Sequence, residues 1–318
     1  MKKLKLKKKV KRKLILFIIL VILCIFGINK YKEYIYKQTN EYKLTEVGYT
    51  LEESKFIIKT LNDKNEEYFV NNDKEDILID LLKEKYFLEK NLYDYIKYKK
   101  DNKRKVLSDV VSIVNVGANK EWYDKKSIKE ADVSKKELML VNKFYSLSED
   151  YEPENITDIS LSYSYSGNRV AKIANDAYID MANRAKADGI MLLANSTYRT
   201  YERQDEIYDD FYYSKGISYA DSYAARPGHS EHQTGLALDI FTNGTSTTEN
   251  FEKSDAYKWL IDNAHLYGFI LRYPKGKEYL TGYNYESWHY RYVGVSVAKE
   301  IKELDITFDE YYAYFIEK

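Results

Sequence analysis

The chain has 318 residues, 44% of them hydrophobic, which is enough for one good-sized domain with additional segments. A single cysteine excludes any internal disulfide, and a domain of this length can dispense with one because its core is large. The net charge of zero conceals an asymmetry: residues 1–13 carry nine basic and no acidic side chains, leaving 41 basic against 50 acidic in the remainder. That acidic balance argues against nucleic acid as a partner of the main body.

The basic run from Lys2 to Lys13 leads directly into fifteen uncharged, almost wholly apolar residues, Leu14 to Ile28. This is short of the ~20 residues that span a bilayer, but flanking lysines can snorkel and extend it. A cleaved signal peptide needs small residues at the cut, and Asn29-Lys30-Tyr31-Lys32 offers none. The expectation is a transmembrane anchor over residues 14–30, with residues 1–13 as a basic cytoplasmic tail and the body outside the cell. Cys24 follows Leu23 rather than a small residue, so it reads as an ordinary residue of the anchor and not as a lipidation site.

Residues 31–136 read as a helical stalk or small module. Between Asp76 and Tyr98, apolar residues at 77, 78, 81, 82, 88, 92 and 96 approach helical spacing. The run Lys99 to Lys105 then forms a polar loop. The segment contains no histidine and no glycine-rich loop, so removal of residues 31–130 is expected to leave the chemistry of the body largely intact.

From residue 137 the pattern changes. Leu138 to Val141 reads as a short strand. Val170 to Ala185 reads as an amphipathic helix stopped by Gly189. Ile190 to Ala194 and Leu236 to Phe241 read as strands. Ser254 reads as the N-cap of a helix ending at Gly268. Phe269 to Tyr273 and Ser287 to Tyr292 complete the strands. Helices and strands mix without regular alternation, so residues 137–318 form an α+β domain, a mixed or antiparallel sheet with flanking helices.

Only four histidines are present: His229, His232, His265 and His289. His232 and His289 stand in dense polar motifs, Ser230-Glu-His232-Gln-Thr-Gly235-Leu-Ala-Leu-Asp239 and Glu286-Ser-Trp-His289-Tyr-Arg-Tyr292. A catalytic zinc takes three protein ligands and keeps one position open. His232, Asp239 and His289 supply two nitrogens and one oxygen. Asp239 is the only acid in an apolar strand, where an unpaired carboxylate is costly. Peptide hydrolysis also needs a general base, and Glu286, three residues before His289, can reach a water at the metal without being a ligand. Taken singly, a strand histidine is more often a satisfied core residue, and an aspartate before Ile-Phe can cap a turn. The two motifs together, with a spare acid, favour the metal. His265 lies in a helical stretch and reads as structural, and nothing requires His229 as a fourth ligand.

The pattern Ser-x-His-x-x-Gly-x-Ala-x-Asp followed by Glu-x-Trp-His resembles the D-alanyl-D-alanine carboxypeptidase family of zinc peptidases, which includes vancomycin-resistance carboxypeptidases and peptidoglycan L,D-carboxypeptidases. The likeness covers residues 138–318, including Val141-Asn-Lys143, Tyr151-Glu-Pro153, Tyr198-Arg-Thr200 and Leu271-Arg-Tyr-Pro-Lys-Gly276. It implies one zinc per chain on His232, Asp239 and His289, with Glu286 as catalytic base. It further implies places for Arg199, Gln204, Ser230 and Trp288 in the substrate pocket, with peptidoglycan stem peptides as the partner. Arg199 has an independent rationale: a carboxypeptidase must recognise a terminal carboxylate and stabilise an oxyanion, and a guanidinium serves either purpose.

The leading expectation is removal of the C-terminal D-alanine from the stem peptide. The L,D bond of the tetrapeptide is the alternative. An endopeptidase and an inert wall-binding zinc module stand behind these, the latter opposed by the presence of Glu286.

Overall fold

A helix of 31 residues, Lys8–Gln38, carries the apolar run well beyond its fifteen-residue centre. The computed structural model describes residues 8–245 and 248–317. The part of the basic tail before Lys8 lies outside the described residues. Val10–Gln38 is long and apolar enough to cross a membrane by length and composition.

The chain divides into two compact units, residues 1–90 and 91–318. In the first, short helices at Asn40–Val47, Leu51–Thr60, Asp63–Val70 and Leu78–Leu82 follow the long one. Thr50 and Glu53 form a capping box that satisfies the first turn of the helix they open. Leu44, Ile57, Phe69, Leu78 and Leu81 are buried.

The helix expected across residues 76–98 is broken. It stops at Leu82, and a new one spans Leu92–Asp101. The physical reason is the register: one continuous helix would carry Lys85 and Glu89 onto the stripe of Leu78, Leu81, Leu82, Leu92, Tyr95 and Ile96. The break also leaves Glu89 to accept hydrogen bonds from the Asn62 backbone and the Asn65 side chain. The boundary between the units falls here, so residues 91–136, grouped with the stalk on sequence, belong to the same compact unit as the C-terminal body.

In that second unit, strand β1 (Lys129–Glu130) pairs in parallel with β2 (Tyr145–Ser146). Strands β3 (Ile156–Asp158) and β4 (Arg169–Ala171) form an antiparallel pair. Strands β5 (Leu193–Ser196), β6 (Ala237–Phe241), β7 (Phe269–Leu271) and β8 (His289–Tyr292) build the main sheet in the order β5-β6-β8-β7, every neighbouring pair antiparallel. The α+β expectation with an antiparallel sheet is met.

Residues 138–141 do not form a strand. A 3₁₀ turn ends at Leu138, and the carbonyls of Glu137 and Met139 accept hydrogen bonds from Arg291 Nη2 rather than from a neighbouring strand. The helix expected at 170–185 runs Lys172–Ala187, displaced because Arg169–Ala171 pairs with β3. Its Ala174, Tyr178, Met181, Ala182 and Ala185 pack in one core with Leu238, Ile240, Phe269, Tyr290 and Tyr292 of the sheet. That core covers the back of the sheet. Since successive strand residues face opposite ways, Asp239, His289 and Arg291 point to the front.

Candidate metal centre

The sheet register places two of the three candidate ligands side by side. Asp239 on β6 is the direct antiparallel partner of His289 on β8, where cross-strand Cβ atoms approach to about 5 Å. His232 arrives from the 3₁₀ turn Glu231–Thr234, which Ser230 caps by accepting from the His232 backbone. Gly235 ends the turn at φ 67°, and a Cβ there would meet Ile156 Cδ1 at 2.7 Å. Glycine is therefore required where the chain turns from His232 into β6. The Arg199 backbone N–H donates to the His232 carbonyl, tying this turn to the loop after β5.

His232, Asp239 and His289 are buried, and each offers a ligand atom within 4.8 Å of the others. His232 Nε2 lies 3.5 Å from Asp239 Oδ1, and His289 Nδ1 lies 3.1 Å from the same oxygen. Ligands bound at zinc distances around a tetrahedral centre stand about 3.4 Å apart, so the set fits that ion. Both imidazoles are oriented from behind. His232 Nδ1 sits 2.7 Å from the Thr197 carbonyl. A carbonyl only accepts, so Nδ1 carries the proton and Nε2 offers its lone pair to the site. His289 Nε2 faces Glu231 Oε2 at 3.4 Å, leaving Nδ1 for the site.

The electrostatics favour a cation. Burial, reinforced by Arg199, pushes His232 down to about 4, which keeps it neutral and able to ligate. Asp239 lies well below the usual carboxylate range: burial opposes its charge, but the two histidines outweigh that effect. Burial also opposes a charged His289, yet its hydrogen bonds to Asp239 and Glu231 prevail and push it up to about 9. The acids around His289 thus favour positive charge there.

Glu286 Oε2 approaches His289 Nδ1 to 3.6 Å without joining the ligand cluster. Burial, together with the charges of Asp239 and Glu231, raises it to about 7 against the pull of His289 and Arg199. A carboxylate poised there suits general-base work near neutral pH. It lines a cleft of about 150 Å³ with Arg199, Gln204, Ser230, Trp288 and the three candidate ligands. The structure thus brings every expected site residue to one place.

Their contacts differ. Arg199 donates to Ser196 Oγ through Nε and Nη2, to Gln204 Oε1 through Nη1, and to Asp239 Oδ2 at 3.2 Å. Gln204 in turn donates to the Ala225 carbonyl, so both ends of its amide are engaged. The outer histidines stand apart from the cluster. His229 Nδ1 meets the Asn142 carbonyl at 2.7 Å, and His265 lies in the 3₁₀ turn Ala264–Tyr267.

Sequence reasoning missed two groups. Glu231, inside the first motif, is buried against Arg272 and Arg291. The signal for it was Arg291 itself: an arginine between tyrosines in a buried strand needs an acid somewhere. The second group is the cleft wall. Tyr283 lines the cleft, and its hydroxyl lies 3.0 Å from that of Tyr123, a residue of the segment thought to carry no chemistry. Lys143 lies 4.4 Å from the centre of the Tyr283 ring and donates to the Asp221 carbonyl. Burial pushes that lysine down to about 8.

Residues 167–295 match the profile of the family described as VanY, D-alanyl-D-alanine carboxypeptidase. The chain is 46% identical over 181 residues to the protein YodJ of Bacillus subtilis (strain 168), covering 55% of this chain and 66% of that one, just under two thirds of its length. A D-alanyl-D-alanine carboxypeptidase of Enterococcus faecalis is 36% identical over 191 residues, covering 57% of this chain and 68% of its own. Among solved structures, the LdcB LD-carboxypeptidase is 40% identical with a TM-score of 0.56, covering 61% of this chain and 94% of its own.

Proposed function

Because the chain belongs to the VanY-type family of D-alanyl-D-alanine carboxypeptidases, we propose that it removes the C-terminal D-alanine from peptidoglycan stem peptides with one zinc ion held by His232, Asp239 and His289. The observation that carries this reading is the buried cluster of these three side chains, with the uncoordinated Glu286 beside it in the same cleft. When bound, zinc supplies a Lewis acid that polarises the scissile carbonyl and makes water nucleophilic at neutral pH. Glu286 takes the proton of the attacking water and returns it to the leaving amine. Its raised affinity for protons suits both halves of that transfer.

Arg199 serves the developing oxyanion. Four of the guanidinium's five N–H groups already face Ser196, Gln204 and Asp239. One remaining donor suits a single oxygen better than the two-point grip that a carboxylate accepts. Gln204 holds Arg199 in place, and Ser230 and Trp288 shape the cleft. The test is mass spectrometry of stem pentapeptide and tetrapeptide after incubation with the protein. Loss of one alanine from the pentapeptide is expected; two intact peptides would refute the reading.

A second reading, cleavage of the L,D bond of the tetrapeptide, is favoured by the likeness to the LdcB LD-carboxypeptidase. Shortening of the tetrapeptide alone in the same experiment would select it.

The long N-terminal helix anchors the protein in the membrane with the body outside. Its apolar stretch follows the basic run of residues 1–13, and basic segments stay on the cytoplasmic side. Protease added to intact, wall-stripped cells should degrade the body. A protected body, or a mature protein that begins after Ile28, would overturn this topology.

A further inference from the structure

Glu231 is a fully buried acid beside the cleft but outside the ligand cluster, and its two oxygens look in different directions. Oε1 receives Arg272 Nε at 2.7 Å and Arg291 Nη1 at 2.9 Å. Oε2 turns the other way and lies 3.4 Å from His289 Nε2. Behind it, Arg272 donates Nη1 and Nη2 to Asp309 at 2.5 and 3.1 Å. Asp309 also accepts from Asn142 Nδ2 at 2.7 Å. Arg291 spends its last donors on the carbonyls of Glu137, Met139 and Tyr292. Glu231 and both arginines have fully buried side chains, and that of Asp309 is 2% exposed. Two carboxylates and two guanidiniums thus balance in a dry interior with every charge paired, the condition under which buried ions can persist.

We propose that Glu231 is the positioning residue that makes His289 a metal ligand. An imidazole has two nitrogens, and the one that binds a cation must be free of its proton. Asp239 lies 3.1 Å and Glu286 3.6 Å from His289 Nδ1, and either would accept a proton there. Left alone, the ring would hold its proton on Nδ1 and lose the ligand. Glu231 offers Nε2 a carboxylate and draws the proton to the far side. His232 has the Thr197 carbonyl for the same purpose; His289 has Glu231, a charged acceptor that also makes the ring a stronger donor. Pairing with the arginines accounts for Oε1 alone. The direction of Oε2 is explained by His289.

The inference rests on the zinc reading of the site, and its test separates the two. The probe is zinc alone, titrated into the metal-free full chain in detergent against a chromogenic chelator. Glu231→Gln should bind zinc about 10–100-fold more weakly than the wild type, the range typical for loss of such a partner, with cooperative unfolding retained. Arg272→Lys, which keeps the charge but loosens the frame around Glu231, should weaken zinc by less. A second measurement needs no variant. The chain has four histidines, so ¹⁵N-histidine labelling of the zinc-loaded wild type gives a short spectrum in which His289 should show a protonated Nε2 and a metal-shifted Nδ1. Unchanged zinc affinity in a folded Glu231→Gln overturns the proposal while leaving the zinc site standing; a proton on Nδ1 in the loaded wild type overturns the proposal and removes His289 Nδ1 from the ligand set. A wild type that binds no zinc overturns both.

Discussion

Strand β8 has two equally buried faces with opposite chemistry. His289 and Arg291 point forward into charge; Tyr290 and Tyr292 point back into the apolar core. Strand β6 repeats the contrast, with Asp239 in front and Leu238 and Ile240 behind. The back face is held by area: each large apolar side chain contributes on the order of 2 kcal/mol by leaving water, whichever neighbour covers it. The front face gains nothing from area. Its charges are tolerable only because each has a specific partner, so its integrity is a matter of connection. Substitutions should therefore separate into changes that lower stability while sparing chemistry, and changes that remove chemistry from a folded protein.

The largest effect is expected on the front, at the ligands. His232→Ala, Asp239→Ala or His289→Ala leaves two donors where three are needed, and most of the metal and all measurable turnover should go with it. Elemental analysis that finds full zinc in His232→Ala would break the ligand assignment.

Next comes Glu286→Gln, which keeps size and some hydrogen bonding but cannot take a proton. It should retain zinc and bind peptide while turnover falls by ~10²–10⁴-fold. The pH profile sharpens the point. A general base works only when ionised, so the rate should fall as acidity rises through the Glu286 titration. Burial and neighbouring acids raise that titration to about 7 in the metal-free site. A bound cation favours the carboxylate and moves the acid limb below that value. An acid limb that survives unchanged in Glu286→Gln would assign it to another group. Arg199→Ala, by contrast, should lower kcat with little change in KM; a rise in KM that spares an amidated peptide would return Arg199 to the terminal carboxylate.

On the back, Leu238→Ala should cost about 2–5 kcal/mol in denaturant unfolding through the cavity it leaves. KM and kcat per folded, zinc-loaded molecule should stay near wild type. If Leu238→Ala instead emptied the metal site of a protein that remained folded, the two faces would be coupled and the comparison would fail.

The front face was legible in sequence where single residues break a local rule. Asp239 among apolar neighbours, Gly235 after His232, and Glu286 three residues before His289 each have an ordinary explanation, but together they point to a site. The strands of the sheet were legible because buried apolar runs are long relative to their turns. Connections across the chain were not. Glu231 is one acid among fifty, and its meaning depends on Arg272 and Arg291, some forty to sixty residues away. Residues 138–141 have strand composition, yet the Arg291 side chain claims the carbonyls of Glu137 and Met139. The break between Leu82 and Leu92 follows from the positions of Lys85 and Glu89 in the register, which matter only once packing has settled which face is buried.

The smallest effect should come from removing residues 1–90, and the boundary itself is the test. Residues 31–130 carry no motif, which suggests that all of them can go. The contacts of the second unit divide that segment. Ser112 meets the Tyr314 hydroxyl at 2.7 Å, Trp122 packs on Phe144 with ring centres 5.0 Å apart, and Tyr123 bonds Tyr283 in the cleft wall. Of residues 91–130, Tyr123 thus supports the cleft wall through Tyr283. A protein of residues 91–318 should hydrolyse soluble peptide as the full chain does. One of residues 131–318 would expose Phe144 and release Tyr283, and it should lose solubility or raise KM sharply. Tyr123→Phe isolates the finest part of this contact. It removes one hydroxyl from the Tyr283 bond, a change of about 0.5–1.5 kcal/mol, and should raise KM modestly with zinc content unaltered. Equal activity from both truncations would mean that the cleft wall stands without Tyr123, and the front face would then end at the metal.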